Sequence, residues 1–122
     1  MNIEHLNRSG VDIAVISGDG KIIVDVPSAL DLAMTVKYET GAASIVLDKA
    51  LVCEDFFILS TGIAGEILQK FINYHAKLAI IGDFSGYTSK PLKDFIYESN
   101  NGKDVFFVGS EQEAVERLTQ AG

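Results

Sequence analysis

The chain has 122 residues, of which 48% are hydrophobic and 22% charged, and its formal net charge is −7. This length and composition predict a single domain over residues 1–122 with a continuous core, and they exclude intrinsic disorder. The acidic charge repels phosphate backbones and anionic lipids, so we expect neither nucleic-acid nor membrane binding. A single cysteine, Cys53, and the absence of a secretion-signal pattern at the N-terminus predict a cytoplasmic protein.

The first part of the chain predicts an antiparallel hairpin followed by a helix. Val11–Ser17 predicts the first strand, and Gly18-Asp19-Gly20 supplies the residues that a tight turn needs. Lys21–Val26 then predicts the returning strand. Pro27 and the apolar residues after it predict a helix that stops at Gly41.

The rest of the chain predicts alternating strands and helices. The apolar runs Ser44–Asp48 and Lys77–Gly82 predict buried strands, and helical spacing of apolar residues over Thr61–His75 predicts a helix between them. Residues 49–59 predict a loop or a short helical turn, and an extra edge strand is the alternative. The remaining elements are a helix from Pro91 to about Asn100, a strand over Asp104–Val108, and a last helix with a capping box at Ser110 and Glu113.

The order of elements, β-β-α-β-α-β-α-β-α, predicts a single layered α/β domain. Strands separated by helices need crossover connections, which make neighbouring strands parallel and place helices on the sheet. The initial hairpin adds an antiparallel edge. We therefore expect a mostly parallel sheet of four or five strands with an N-terminal antiparallel hairpin.

The carboxyl ends of the strands are where ligands and partners meet an open parallel sheet. Three aspartates, Asp25, Asp48 and Asp83, lie at or just past predicted strand ends. They form either a Mg²⁺ cluster or ordinary caps of turns and helices. The chain has only two histidines, His5 in a segment that predicts a frayed terminus and His75 at a helix end. We therefore expect no catalytic residues and no cofactor.

Hydroxyl residues stand directly before the helix predicted over Thr61–His75. Ser60 and Thr61 precede Gly62, a position where a hydroxyl either caps the first turn of the helix or accepts a phosphate that the helix dipole favours. The Asp83–Lys90 loop is also rich in hydroxyls and carries two aromatic residues. The two segments are candidates for a recognition surface.

The helix start Ser60–Gly65, between the strands Ser44–Asp48 and Lys77–Gly82, resembles STAS domains. These form the fold of anti-sigma-factor antagonists and of the cytoplasmic part of sulfate transporters. In that family a Ser or Thr before a glycine caps this helix, and in antagonists a partner kinase phosphorylates it. The resemblance implies that Thr61 is the phosphoacceptor, with Ser60 as the neighbouring hydroxyl, and that the partner is another protein such as a kinase or regulator.

The chain as a whole resembles a small uncharacterised bacterial family, a domain of unknown function. This resemblance implies no activity. The stretches that carry it are Ser28–Leu32, Glu54–Phe57, Gly65–Phe71, Gly82–Ser85 and Tyr87–Ser89.

We therefore expect a non-catalytic regulatory or protein-interaction module whose working surface combines the Glu54–Gly62 insert with the Asp83–Lys90 loop. One alternative is a small metal- or nucleotide-binding enzyme that uses the strand-end aspartates. Another is a homodimer formed through the apolar segment Phe56–Leu59. The residues expected to contact a partner are Glu54, Asp55, Phe57, Gly62, Asp83, Ser85, Tyr87, Thr88, Ser89 and Lys90.

Overall fold

A computed structural model describes residues 1–121 of the chain. Three short 3₁₀ turns, at Lys49–Leu51, Glu54–Phe57 and Leu59–Thr61, fill the segment between the third strand and the second helix. The strands and helices are, in order, β1 (Asn2–Arg8), β2 (Val11–Ser17), α1 (Val26–Thr40), β3 (Ser44–Asp48), α2 (Ile63–Asn73), β4 (Lys77–Ile81), α3 (Lys90–Asn101), β5 (Val105–Val108) and α4 (Glu111–Ala121).

The five strands form one sheet in the order β1-β2-β3-β4-β5. β1 and β2 are antiparallel, whereas β2, β3, β4 and β5 pair in parallel. Each parallel neighbour follows a helical crossover, as the alternation of elements requires. The predicted α/β class, with a mostly parallel sheet and an N-terminal antiparallel hairpin, is therefore confirmed.

The hairpin lies one strand earlier in the chain than the sequence pattern predicted. Its first strand is Asn2–Arg8, and its turn is Ser9-Gly10, whose φ angles of 53° and 83° are those of a type I′ turn. The prediction that Lys21–Val26 forms a strand is wrong, because Ile23 makes only an isolated bridge to Val52 there. The place beside β2 is already occupied on both sides, by β1 and β3.

The N-terminal segment is consequently ordered rather than frayed. His5 lies in β1, and its Nε2 is 2.9 Å from the Oδ1 of Asp12 in β2. The side chain of Asn7 donates to the same carboxylate oxygen, also at 2.9 Å. These hydrogen bonds hold the pKa of Asp12 below its ordinary value, first through Asn7 and then through His5.

The two faces of the sheet are covered unequally. In the part of the chain that the structure describes, α1, α2 and α3 pack on one face and α4 alone packs on the other, where Ala114 and Leu118 are fully buried against Val46 and Ala79. Because both faces are covered, the central strands read as continuous apolar runs. No helix within residues 1–121 has both the length and the apolarity needed to cross a membrane.

The first helix begins and ends as predicted but faces differently. Asp25 accepts from the Ser28 backbone in a capping box, and Gly41 ends the helix with φ 77°. Of the apolar residues along this helix, Met34 and Tyr38 face solvent, at 61% and 93% exposure. Val36 is buried, together with Ala29 and Leu32.

The segment between β3 and α2 folds as turns, which confirms the loop prediction over the alternative of an edge strand. The Leu51 carbonyl accepts from the backbone N–H groups of Ile22 and Ile23, and Cys53 N–H donates to the Ile23 carbonyl. These bonds tie the turns to residues 21–25. Together the two segments cover the carboxyl end of the sheet.

Candidate functional site

The Glu54–Gly62 insert and the Asp83–Lys90 loop lie together at the carboxyl end of the sheet. The rings of Phe57 and Tyr87 stack with centroids 5.1 Å apart and planes 16° from parallel. Phe84 adds a third ring, 6.1 Å from Phe57 and 6.3 Å from Tyr87. A ring pair of this kind adds about 0.5–1.5 kcal/mol beyond its burial, so the stack fixes the two segments relative to each other. We call the exposed side chains of both segments the rim surface.

The stack is anchored in the core beneath it. Phe84 meets Phe107 of β5 edge to face at 5.4 Å, and Phe56 lies 5.0 Å from Phe57. Phe56 and Phe57 are only 1% and 4% exposed, so they organise the surface from below. Burial therefore leaves little of the Phe57 ring for a partner to contact. The homodimer through Phe56–Leu59 stays a prediction, in which Phe56 and Phe57 would contribute little surface. Ile58, at 50% exposure, is the apolar residue of the insert that faces solvent.

Lys49 belongs to the same cluster, although sequence reasoning missed it. Its Nζ donates to the Asp83 carbonyl at 2.9 Å and lies 5.1 Å from the ring centroid of Tyr87. Its stem lies over Gly82, where an added Cβ would be 2.6 Å from the Lys49 Cδ. The feature that could have identified Lys49 is its position directly after β3. The sheet pairs Asp48 with Ile81, so the residues that follow β3 and β4 lie side by side.

The charges of the rim surface act locally. Burial raises the pKa of Tyr87, and the charge of Glu54 raises it further, so the phenol stays neutral at physiological pH. Asp83 accepts hydrogen bonds from the side chain and backbone of Ser85, at 2.6 and 2.9 Å, and these lower the pKa of Asp83. Asp83 therefore shapes the beginning of its loop as a charged hydrogen-bond acceptor.

The three strand-end aspartates each close a turn in their own segment. Asp25 accepts from Ser28 N–H at 2.8 Å and Asp48 from Ala50 N–H at 2.8 Å, while Asp83 bonds to Ser85 as described. No group of three or more His, Cys, Asp or Glu side chains within residues 1–121 is arranged to hold a metal ion. Their geometry is that of caps.

Thr61 is not the cap of α2, so that prediction is wrong. The N-cap is Gly62, with φ 80° and no side-chain cap bond, and the positive φ explains why glycine stands there. The Thr61 Oγ1 instead donates to the carbonyls of Asp55 and Ile58, at 2.7 and 2.8 Å. Its contact with Ile63 N–H is long, at 3.4 Å. The hydroxyl of Thr61 thus fastens the insert onto itself, on a residue that remains exposed.

The other residues expected to contact a partner lie on the same surface. Some of their side chains are held by hydrogen bonds within the chain, and others are exposed. Ser89 caps α3, with its Oγ 3.5 Å from Leu92 N, and Lys90 pairs with Asp94 at 2.7 Å, which raises the pKa of Lys90. The side chains that the structure leaves exposed on the rim surface include Glu54, Asp55, Ser60, Thr61, Ser85 and Thr88.

A concave surface, which sequence reasoning did not identify, lies at the other end of the sheet. A cavity of about 580 Å³ opens between α1 and the end of α2, where Met34, Tyr38 and Tyr74 line it. The exposed positions of Met34 and Tyr38 on α1 follow only from which face of the helix meets the sheet.

Within residues 1–121 these features define a mixed α/β domain with a five-stranded sheet, four helices and a turn-built surface at the carboxyl ends of its parallel strands. The family model described as "Domain of unknown function (DUF4180)" matches residues 8–118, and the chain belongs to that family. This confirms the resemblance of the whole chain to a domain of unknown function. None of the curated proteins compared with the chain matches it.

Proposed function

We propose that the protein is a non-catalytic regulatory or protein-interaction module with a STAS-like fold, and that it binds another protein in the bacterial cytoplasm through the rim surface. The stack of Phe57 on Tyr87 carries this proposal. A solvated turn needs no aromatic residues, whereas a recognition surface must hold its polar groups in fixed positions before it binds. The ring stack supplies that rigidity for the insert and the loop together.

The exposed chemistry of the surface suits a partner with basic and apolar groups. Glu54 and Asp55 present carboxylates, and Ile58 presents an apolar side chain between them and the start of α2. Acidic groups around an exposed apolar residue favour a partner that carries Lys or Arg around an apolar contact. The net charge of −7 adds long-range attraction to a basic partner.

The same contacts suggest how phosphorylation would switch the surface. The hydroxyl proton of Thr61 is shared between the carbonyls of Asp55 and Ile58, and a phosphate ester has no such proton. The phosphate also brings a charge of roughly −1.5 to −2 next to two carbonyl oxygens. Phosphorylation of Thr61 therefore breaks its hydrogen bonds to Asp55 and Ile58 and releases this part of the insert. The buried ring of Phe57 keeps the rest of the insert packed on the core.

Phosphorylation of Ser60 would act differently, because the fastening bonds belong to Thr61. A phosphate on Ser60 adds charge beside the N-terminus of α2, where the helix dipole favours it, and leaves the Thr61 bonds in place. The two candidate sites therefore predict different outcomes, an opened insert for Thr61 and an intact but more acidic surface for Ser60.

Mass spectrometry of the protein purified from its own host under several growth conditions tests the switch. We expect a phosphorylated peptide that covers Ser60 and Thr61, with the phosphate on Thr61. Thr61→Val should abolish the modification, whereas Ser60→Ala should retain it. An unmodified peptide under every condition would count against the regulatory proposal.

Chemical cross-linking in the host, followed by identification of the attached protein, tests the surface itself. A partner of the rim surface should be lost in Asp55→Lys and retained in Glu39→Lys, a matched charge reversal on the exposed side of α1. Equal retention by both variants would place the partner elsewhere on the molecule and contradict the proposed surface.

A further inference from the structure

The two edge strands of the sheet, β5 and β1, differ in whether their outward backbone groups already have hydrogen-bond partners. At β5, the side chain of Asn100 takes the place of a neighbouring strand. Phe107 N–H donates to the Asn100 Oδ1 at 2.7 Å, and the Asn100 Nδ2 donates to the Phe107 carbonyl at 3.1 Å. The strand is also short, only four residues. Short edge strands with their backbone groups already bonded do not recruit further strands.

The opposite edge, β1, is less protected, although it carries the charged residues Glu4 and Arg8. It is seven residues long, contains neither proline nor lysine, and pairs with β2 without a bulge, from Asn2 opposite Ser17 to Arg8 opposite Val11. Within residues 1–121 its only neighbour in the sheet is β2. Natural proteins usually shorten, kink or charge with lysine an edge that must stay free.

The turn determines which backbone groups of β1 are available. Arg8 and Val11 flank the two-residue type I′ turn, so they exchange both of their backbone hydrogen bonds, and the pattern then alternates along the strand. The backbone N–H and C=O groups of Ile3, His5 and Asn7 therefore point away from β2. One of these groups, the Asn7 carbonyl, meets only the neighbouring Arg8 guanidinium, at 3.3 Å.

We propose that β1 pairs antiparallel with β1 of a second copy of the chain, about a two-fold axis that passes through Leu6. In this register His5 of each copy lies opposite Asn7 of the other, and both residues present outward backbone groups, as a hydrogen-bonded pair requires. Leu6 lies opposite Leu6. Glu4 of each copy lies opposite Arg8 of the other, on the face of the sheet that α4 covers.

The charges select this register over its neighbours. A two-fold axis through Glu4 would place the two Glu4 carboxylates opposite each other. An axis through His5 would set Glu4 against Leu6, and an axis through Asn7 would set Arg8 against Leu6. Only the register centred on Leu6 gives two Glu–Arg pairs and one apolar pair. Directly opposite charges of opposite sign stabilise a strand pair and like charges destabilise it.

No ion pair within residues 1–121 competes for either charged side chain, and the Arg8 guanidinium makes a long contact of 3.3 Å with the Asn7 carbonyl. Glu4 and Arg8 are exposed, and neither belongs to a salt bridge within residues 1–121. A cavity of about 520 Å³ between β1 and α4, lined by Leu6, Arg8 and Val115 among others, runs beside the proposed joint. The second copy would border this cavity and cover part of its apolar wall. The rim surfaces of the two copies would remain exposed and point in opposite directions.

Sedimentation velocity and native mass spectrometry of the full chain over a concentration series test the proposal. The unaltered protein should form a dimer. Glu4→Arg places Arg opposite Arg twice, and Arg8→Glu places Glu opposite Glu twice, so each variant alone should dimerise on the order of tenfold or more weakly. An equimolar mixture of the two variants should restore dimers, and these should be heterodimers, because all charge pairs across the joint are then attractive.

Controls of equal charge change separate this edge from general electrostatics. Glu39→Arg and Lys93→Glu lie on exposed helix positions and should leave the dimer unchanged. Circular dichroism of every variant checks that the fold is retained, and restoration by mixing requires that both variants are folded. A protein that stays monomeric at every concentration, a dimer insensitive to both edge variants, or a mixture that forms no heterodimer would each overturn the proposed pairing.

Discussion

The joint between the insert and the Asp83–Lys90 loop can be measured as a coupling free energy between Phe57 and Tyr87. Replacing Phe57 by leucine shrinks a buried side chain and removes its stacked ring, which should cost about 2 kcal/mol of unfolding free energy. Tyr87→Leu, at a half-buried position, should cost about 1 kcal/mol.

The double variant should be less damaging than the sum of the two single changes. Once Phe57 is gone, the ring of Tyr87 has lost its stacked partner at 5.1 Å and contributes less. A stacked pair is worth about 0.5–1.5 kcal/mol beyond burial, so we expect a coupling of about 1 kcal/mol. Independent sites would give a sum that is additive within about 0.5 kcal/mol.

Urea denaturation of the unaltered protein, the two single variants and the double variant gives a double-mutant cycle, provided that the m-value is the same for all four. The matched control is the pair Phe95 and Tyr87. Phe95 contacts Phe107 at 6.0 Å on the same face of the sheet and belongs to a different ring pair, so its leucine variant should add to Tyr87→Leu without coupling. A Phe57–Tyr87 coupling below roughly 0.3 kcal/mol would refute the reasoning that the stack joins the two segments.

Three further predictions concern hydrogen bonds. Asn100→Ala should lower the unfolding free energy by about 2–3 kcal/mol, because it leaves the buried N–H and C=O of Phe107 without partners. Urea denaturation measures this change, and an unaffected stability would contradict the role of Asn100 at the β5 edge. Thr61→Val should cost about 1 kcal/mol of unfolding free energy, the value of one shared hydroxyl proton, and Thr61→Ser should cost clearly less. Equal costs would show that the methyl group contributes as much as the hydroxyl and would contradict the fastening role of the hydroxyl. Asp12 has a folded-state pKa below its ordinary value of 3.8, so its contribution is complete above that pH and is lost as the pH falls through the folded-state pKa. Acid titration of stability should therefore be shallower in Asp12→Asn, and identical acid limbs would argue against the hydrogen bonds that His5 and Asn7 of β1 donate to Asp12 of β2.

Much of the fold was predictable because its helices and buried strands carry their own signals. The helix from Pro27 to Gly41 has a local start and stop, and the structure places α1 at Val26–Thr40. Ser44–Asp48 contains the uninterrupted apolar run Ile45, Val46 and Leu47, as is typical of a strand covered on both faces. The alternation of such elements then left a parallel sheet with crossovers as the consistent architecture.

The hairpin was misplaced because turn and strand propensities are shared by several segments. Lys21–Val26 contains three consecutive β-branched residues, whereas Asn2–Arg8 contains only two apolar residues, Ile3 and Leu6, three positions apart. Local pattern favoured the first segment. In the fold, Asn2–Arg8 is the segment that pairs with β2. Backbone hydrogen bonds stabilise an edge strand even when few of its side chains are apolar.

The sequence by itself determined the class of fold, the two segments that meet at the carboxyl end of the sheet, and the residue types exposed there. Only the tertiary structure decided what each of those residues does. Thr61 fastens the insert, Phe57 lies beneath the surface, and Lys49 joins the cluster through a neighbouring strand. The physical reason is that propensity and capping act over a few neighbouring residues, whereas ring stacking, strand pairing and a shared hydroxyl proton depend on atoms that only folding brings together.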